Sequence, residues 1–247
     1  MEKDRQPVEQ LLSTARKYGL SADGHFFEDQ PEKMAWTAAS KRLSDTDISL
    51  WIITGSAETL TQSVRYGLTL TLLSAQRSRP DLPTLWINTA GDLKQTDLPG
   101  IFADTQLLPM SHTSLGAKLA AMANMPAKNR KSLFRLCVHA NPGIGVWFEV
   151  GPGDAMKWSG VVLGTSGGDI KCHGMGEKGK LPERCVLEYP LKGMEIESGE
   201  EKYISWGIKN ALSPQDSYYV KVDGTVKSLI FGEMPSGSEA DLHVLKI

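Results

Sequence analysis

The sequence predicts an α/β fold over residues 1–142, a mostly parallel sheet flanked by helices, followed by a β-rich, antiparallel part over 143–247. Leu50-Trp51-Ile52-Ile53-Thr54-Gly55 and Leu85-Trp86-Ile87-Asn88-Thr89-Ala90 are short apolar runs of one design, each stopping at Thr and a small residue. Such runs suit strands buried on both faces, as in parallel sheets. A strongly helical stretch lies between them, so the unit reads strand, helix, parallel strand. After Asn141-Pro142-Gly143 helical periodicity nearly disappears, while glycines and short strand-like runs multiply. The first part is expected to layer in a Rossmann-like or flavodoxin-like way. The second is either a domain of its own or an antiparallel extension of the first sheet.

Taken in order, residues 7–18 and 31–42 read as helices, each with Pro in its first turn, where the missing N–H costs nothing. Gly24-His25-Phe26-Phe27 reads as a short strand between them, and strand 48–54 follows. Thr59-x-x-Gln62 forms a possible capping box for the next helix. Leu60, Val64, Leu68, Leu72 and Ala75 recur on one face of it, Arg77 and Arg79 favour its C-terminal end, and Pro80 stops it. Strand 84–89 and a Gly/Pro/Asp-rich loop come next. Leu115, Leu119 and Met122 mark another helix ending before Pro126, and residues 133–138 read as a third strand like the first two. Further strands are expected at 144–150, 160–164, 185–189, 218–223, 225–231 and 242–247, with Asp223-Gly224 as a hairpin turn. In this half only 200–212 resembles a helix.

With 40% apolar residues, 23% charged residues and a net charge of −2, the 247-residue chain has the composition of a soluble globular protein. No global charge argues for nucleic acid or an anionic membrane, so the expected partner is a small molecule or a protein. The charged start Met1-Glu2-Lys3-Asp4-Arg5-Gln6 leads into no apolar signal region, and no run approaches the ~20 apolar residues of a membrane span. Cys137, Cys172 and Cys185 are an odd number without CxxC spacing, which suits a reducing, cytoplasmic setting. Lys118, Lys128, Arg130, Lys131 and Arg135 lie within 111–140 without a carboxylate. They lack interleaved aromatics, and Lys128, Arg130 and Lys131 follow a helix and complement its C-terminal dipole, so the group is not read as an anion patch. Glu195, Glu197, Glu200 and Glu201 read as a solvated loop or edge.

Several motifs offer chemistry. Gly174-Met175-Gly176-Glu177-Lys178-Gly179-Lys180 fits GxGxxG and GxxxxGK, but Leu181-Pro182 stands where a phosphate loop needs Ser or Thr, and no helix pattern follows. Gly164-Thr165-Ser166-Gly167-Gly168 fits G-x-S-x-G, with Asp216 or Asp223 and then His243 in the order of a hydrolase triad. These five residues also resemble the glycine-flanked serine of chymotrypsin-like proteases, with His139 and Asp154 ahead of it. The 27 residues from His139 to Ser166 cannot build the two barrels of that family, and a hairpin or bulge loop explains the same residues. Cys172-His173 with Cys185 is an incomplete zinc set, so neither a metal nor another cofactor is expected.

The strand ends are the better candidate. Open parallel sheets bind ligands outside the carboxyl ends of their strands. Thr54, Gly55, Ser56, Thr89, Gly91 and Asp92 would stand there, with Ser111-His112 approaching the same rim. The expected function is a non-catalytic binding or scaffolding module using that crevice. The alternative is a hydrolase or transferase drawing on Ser166, His243, Asp92 and His112 from separate strand ends. Leu50–Thr54, Val64-Arg65-Tyr66-Gly67-Leu68 and Leu85-Trp86-Ile87 together resemble the end of the structural, non-catalytic half of polyketide ketoreductases. The Arg-Gly that follows that family's first strand is missing, and the β-rich remainder departs from it. The resemblance implies a scaffold without a cofactor.

Overall fold

A computed structural model describes residues 5–126, 132–235, 237 and 241–247. Lys128, Arg130 and Lys131 therefore lie outside the described residues. Arg5–Lys17 forms α1, with Leu11 and Ala15 buried one turn apart. The helix expected at 31–42 is broken. Pro31–Lys33 makes a single 3-10 turn, Met34 takes a left-handed conformation (φ 53), and α2 starts only at Trp36–Leu43. Residues 24–27 form no strand. Phe27 instead packs against the helix that carries Gly67, its ring 2.7 Å from where a Cβ on Gly67 would stand, so a larger residue there would displace the ring.

Trp51–Gly55 (β1), Thr84–Asn88 (β2) and Gln106–Pro109 (β3) make a parallel sheet in the order β1-β2-β3. Between β1 and β2 runs Gln62–Ala75 (α3), capped by the Thr61 side chain accepting from Val64 N at 3.3 Å. Thr59 is not the cap, because its hydroxyl closes the preceding turn on Ser56 N and Ser56 O. α3 covers one face, packing Val64, Leu68 and Leu72 on Ile53 and Trp86. The other face, Leu85, Ile87 and Leu108, is covered by α1 and by Leu115–Ala123 (α4).

The third parallel strand is therefore β3, and the segment read as the third strand belongs elsewhere. Phe134–Asn141 (β4) pairs antiparallel with Gly145–Pro152 (β5). The remaining strands are Val161–Ser166 (β6), Asp169–Glu177 (β7), Leu191–Ser198 (β8), Glu201–Ile208 (β9), Asp216–Asp223 (β10), Ser228–Glu233 (β11) and His243–Lys246 (β12). They form two antiparallel sheets, β4-β5-β10-β7 and β12-β11-β6-β9-β8. Val138, Phe148 and Val220 of one sheet share a core with Val161, Leu163 and Phe231 of the other. Trp36, Tyr66, Leu70 and Leu73 enter the same core, so α2 and α3 join the sandwich to the parallel sheet. The fold is thus mixed α/β, with a short parallel sheet and two antiparallel ones.

Three further expectations are corrected. Residues 200–212 hold strand β9, not a helix, because burial alternates over Tyr203, Ser205 and Gly207 with period 2. Residues 185–189 hold no strand, and Val186 (83% exposed) and Tyr189 (74%) stand in solvent. Asp223-Gly224 is no hairpin, since β10 and β11 belong to different sheets. Gly224 (φ +84) and the pair Gly167 (φ +75) and Gly168 (φ +69) each turn the chain from one sheet to the other. The two turns nest, with the Cβ position of Gly168 only 3.1 Å from Asp223 O. Among the described residues no helix is long and apolar enough to cross a membrane.

Candidate functional site

β1, β2 and β3 end together, so the loops holding Thr54–Ser56, Thr89–Asp92 and Ser111–His112 share one rim. Their polar groups are largely committed to one another. Thr89 N donates to Gly55 O (3.0 Å), Ala57 N to Asp92 Oδ1 (3.3 Å) and Gly91 N to Asn88 Oδ1 (2.9 Å). Asn88, which the sequence did not single out, also donates to Leu93 O (3.1 Å) and so fixes the second loop. The His112 ring accepts from Ser114 N at 3.2 Å, at the start of α4. A ligand crevice opens in such sheets where the strand order reverses. The order β1-β2-β3 runs one way, and the loops after β1 and β2 bond each other across the rim.

The cavity lies on the flank of the sheet. A groove of about 260 Å³ runs between Leu11 and Leu12 of α1, residues 20–27, Ala39 and Leu43 of α2, and Ile52 and Thr54 of β1. Thr54 alone of the predicted rim residues lines it. In a parallel ladder alternate residues bond the same neighbour. Trp51 N donates to Pro83 O, and Gly55 O accepts from Thr89 N, so Trp51, Ile53 and Gly55 face β2. Ile52 and Thr54 consequently aim their N–H and C=O outward, and no described group hydrogen-bonds them there. At the N-terminal end of β1, Arg42 binds Asp47 (2.8 and 3.1 Å), Asp45 (3.1 Å) and Asp23 (3.7 Å). The hydrogen bond from Arg42 holds the Asp47 carboxyl below its ordinary range. Arg79 also reaches this end, donating to Asp45 O and Ile48 O, so three carboxylates face two guanidinium groups and one negative charge is left over.

A shallower cavity of about 550 Å³ is lined by Thr37, Ser40, Lys41, Ser74, Arg77 and Ala140. Two cations and several hydroxyls look suited to an anion. The Thr37 and Ser40 hydroxyls, however, donate to Met34 O (2.7 Å) and Thr37 O (3.0 Å). Lys41 and Arg77 also sit at helix C-terminal ends, where the dipole repels an anion.

Sequence reasoning missed a buried polar cluster on the outer face of the four-stranded sheet. Glu149 receives Ser217 Oγ (2.7 Å) and Gly179 N (2.9 Å) and pairs with His139 Nε2 at 2.5 Å. Arg135 donates to Ser217 Oγ at 3.1 Å. Burial pushes the Glu149 carboxyl up, and the bonds from His139, Ser217 and Gly179 outweigh it, leaving the group below its ordinary value. In a nucleophilic triad the imidazole stands between acid and hydroxyl, whereas here the carboxylate does. The cluster ties β4, β5, β10 and the 177–180 turn together. Beside it, burial pushes the Cys137 thiol up to about 12, with Glu149 adding, so that thiol is unreactive.

The other candidates are dispersed. Ser166 lies opposite Ser228 and His243 opposite Phe231, on the two sides of β11. Two strand spacings and three residue steps put them roughly 14 Å apart, and His243 instead stacks on Phe134 at 4.4 Å. Cys172 and His173 are neighbours on β7 and point to opposite faces. Among the described residues no three His, Cys, Asp or Glu side chains could hold one metal ion. His173 Nδ1 meets Tyr218 Oη at 2.7 Å, and burial, with Lys192 adding, brings its pKa down to about 4. Gly174 and Gly176 of the GxGxxG match lie inside β7, where Pro182 packs 3.0 and 3.1 Å from their Cβ positions.

Fold and site together define a small parallel α/β unit fused to a two-sheet sandwich, with a grooved, unpaired strand edge. No protein-family model matches the chain, and neither a curated protein nor a solved structure matches it.

Proposed function

We propose that this chain is a non-catalytic binding module whose site is the groove along β1, reaching the strand's carboxyl end at Thr54. The observation that carries it is the apolar cavity beside the unpaired backbone of Ile52 and Thr54. Apolar walls supply affinity and a few fixed polar groups supply orientation, as binding clefts require. The sandwich serves as scaffold, its outer face locked by Glu149. A protein or small-molecule partner in the cytoplasm completes the reading. The free thiols Cys137, Cys172 and Cys185 suit a reducing compartment.

The apolar fluorophore anilinonaphthalene sulfonate tests it. Wild type is expected to bind the dye saturably at one site, and Leu12→Trp, which fills the groove, to lose it without losing its fold by circular dichroism. Equal dye binding by both proteins, or none by either, removes the groove as a site. A fluorophosphonate should leave Ser166 unmodified, since no base stands beside it. Labelling abolished by Ser166→Ala would reinstate the hydrolase alternative.

A further inference from the structure

Building on the groove as the binding site, we infer that its occupant is an extended peptide that adds a strand to the free edge of β1, with a lysine or arginine at the end nearest Asp47. Three observations converge on this partner. The outward N–H and C=O of Ile52 and Thr54 form the donor–acceptor row that strand addition uses. Edge strands are ordinarily protected by lysines, prolines, bulges or a covering loop, and Trp51–Gly55 carries none of the first three and pairs with β2 in unbroken register. Residues 20–27 flank this edge, yet no described backbone hydrogen bond joins them to it.

Size and charge narrow the occupant further. The cavity's 260 Å³ lies below the range of about 300–1,000 Å³ typical of small-molecule pockets. It has room for alternate side chains of a strand whose backbone runs outside. In such a strand, apolar residues at i and i+2 would face Leu11, Leu12 and Leu43 while the residue between points to solvent. At one end Asp23, Asp45 and Asp47 face two cations, Arg42 in ion pairs with all three and Arg79 bound to the backbone of Asp45 and Ile48, which leaves one carboxylate in excess for a basic residue.

The experiment uses two fluorescein-labelled hexapeptides of alternating valine and threonine, one with lysine first and one with lysine last, read by anisotropy against the full chain. One of the two is expected to bind saturably and to displace anilinonaphthalene sulfonate. N-methylating the amides that face β1 should weaken it about tenfold, the scale of one lost hydrogen bond, whereas N-methylating the alternate amides should not. Thr54→Pro, which removes an outward N–H and leaves the β1–β2 ladder intact, should do the same, and Thr54→Val should not. Replacing the peptide lysine by glutamate, or Asp47 by Asn, should weaken binding several-fold. Insensitivity to N-methylation and to Thr54→Pro overturns strand addition. Dye binding that neither peptide displaces overturns it too while leaving the groove as a site, whereas absent dye binding removes the groove itself. A wild-type dimer in sedimentation that Thr54→Pro dissociates would make a second copy the occupant and overturn the peptide.

Discussion

The parallel sheet and the sandwich bury their strands by different rules. Trp51–Gly55, Thr84–Asn88 and Gln106–Pro109 contain no ionisable side chain, and β2 is covered by helices on both faces. The four-stranded sheet gives one face to the apolar core and the other to Arg135, His139, Glu149 and Ser217, of which the last three are also buried. That outer face is polar and yet closed, because the turn carrying Gly179 and Pro182 folds over it. Apolar runs thus announce burial in the first region. In the second an alternating pattern, which elsewhere marks a wet face, conceals it.

The largest test of this contrast lies between the two tryptophans of the parallel sheet. Trp86 is 1% exposed on the central strand and Trp51 is half-buried on the edge, and both pack edge-on against Phe102. Trp86→Ala should cost about 3–5 kcal/mol and Trp51→Ala about half of that, read from denaturant midpoints. Equal costs would mean that β1 is covered as β2 is, and the open edge would be lost. Next in size is a comparison within β1. Ile53, 2% exposed under α3, should cost about 2–5 kcal/mol on truncation to Ala, and the half-buried Ile52 beside the groove about 1 kcal/mol. A large loss at Ile52 would indicate a filled, tightly packed groove.

These differences also mark how far the sequence reaches. Strands β1 and β2 were legible because their apolar runs are continuous, and α3 because its apolar residues recur at helical spacing. β3 was not, since Gln106-Leu107-Leu108-Pro109 is four residues long within a stretch dense in Asp, Gly and Pro. Nor could the runs say which strand is central, because that depends on the neighbours: β2 is flanked on both sides and β1 on one. The charged start of β9, Glu201-Lys202, hid its period-2 burial and suggested a helix. β7 was hidden by Gly174 and Gly176, whose missing side chains make room for Pro182. Of the residues lining the proposed groove, Thr54 was singled out in the sequence, as a polar strand end. The groove was not, because its walls come from four separate segments. The Glu149 cluster left one trace, the polar alternation Arg135, Cys137, His139 against Leu136 and Val138.

Acid should separate the two regions. The parallel strands have nothing to titrate, whereas the sandwich holds Glu149 and His173. Glu149 lies below its ordinary value, so its contribution is full above about pH 4.3, the unfolded value, and is lost as pH falls further. His173 falls from about 6.5 unfolded to about 4 folded. The unfolded chain therefore binds the proton first, and stability declines as pH drops through that window. Glu149→Gln should cost about 1–3 kcal/mol at pH 7 and flatten the loss below about pH 4.3. His173→Gln should flatten the loss between about pH 6.5 and 4. Unfolding midpoints measured across pH would show the two slopes vanishing separately. A profile unchanged in both variants would remove these groups as the acid-sensitive element.

The smallest effect concerns the two threonines near the carboxyl ends of β1 and β2, Thr54 and Thr89. Thr89 Oγ1 is buried and has no hydrogen-bond partner among the described residues, while Thr54 opens onto the groove. A buried hydroxyl without a partner forfeits its hydration for nothing, so replacing it by a methyl of nearly the same shape removes a cost. Thr89→Val should leave stability unchanged or raise it by up to about 1 kcal/mol. Thr54→Val, at a half-exposed position, should stay within about 0.5 kcal/mol of wild type. Thermal and denaturant midpoints for the pair decide between two pictures of the rim. If Thr89→Val instead destabilises by more than about 1 kcal/mol, the hydroxyl is hydrogen-bonded in solution. A water held between the β1 and β2 loops would supply that bond, and the carboxyl ends of the strands would then be a polar pocket as well as a closed set of turns.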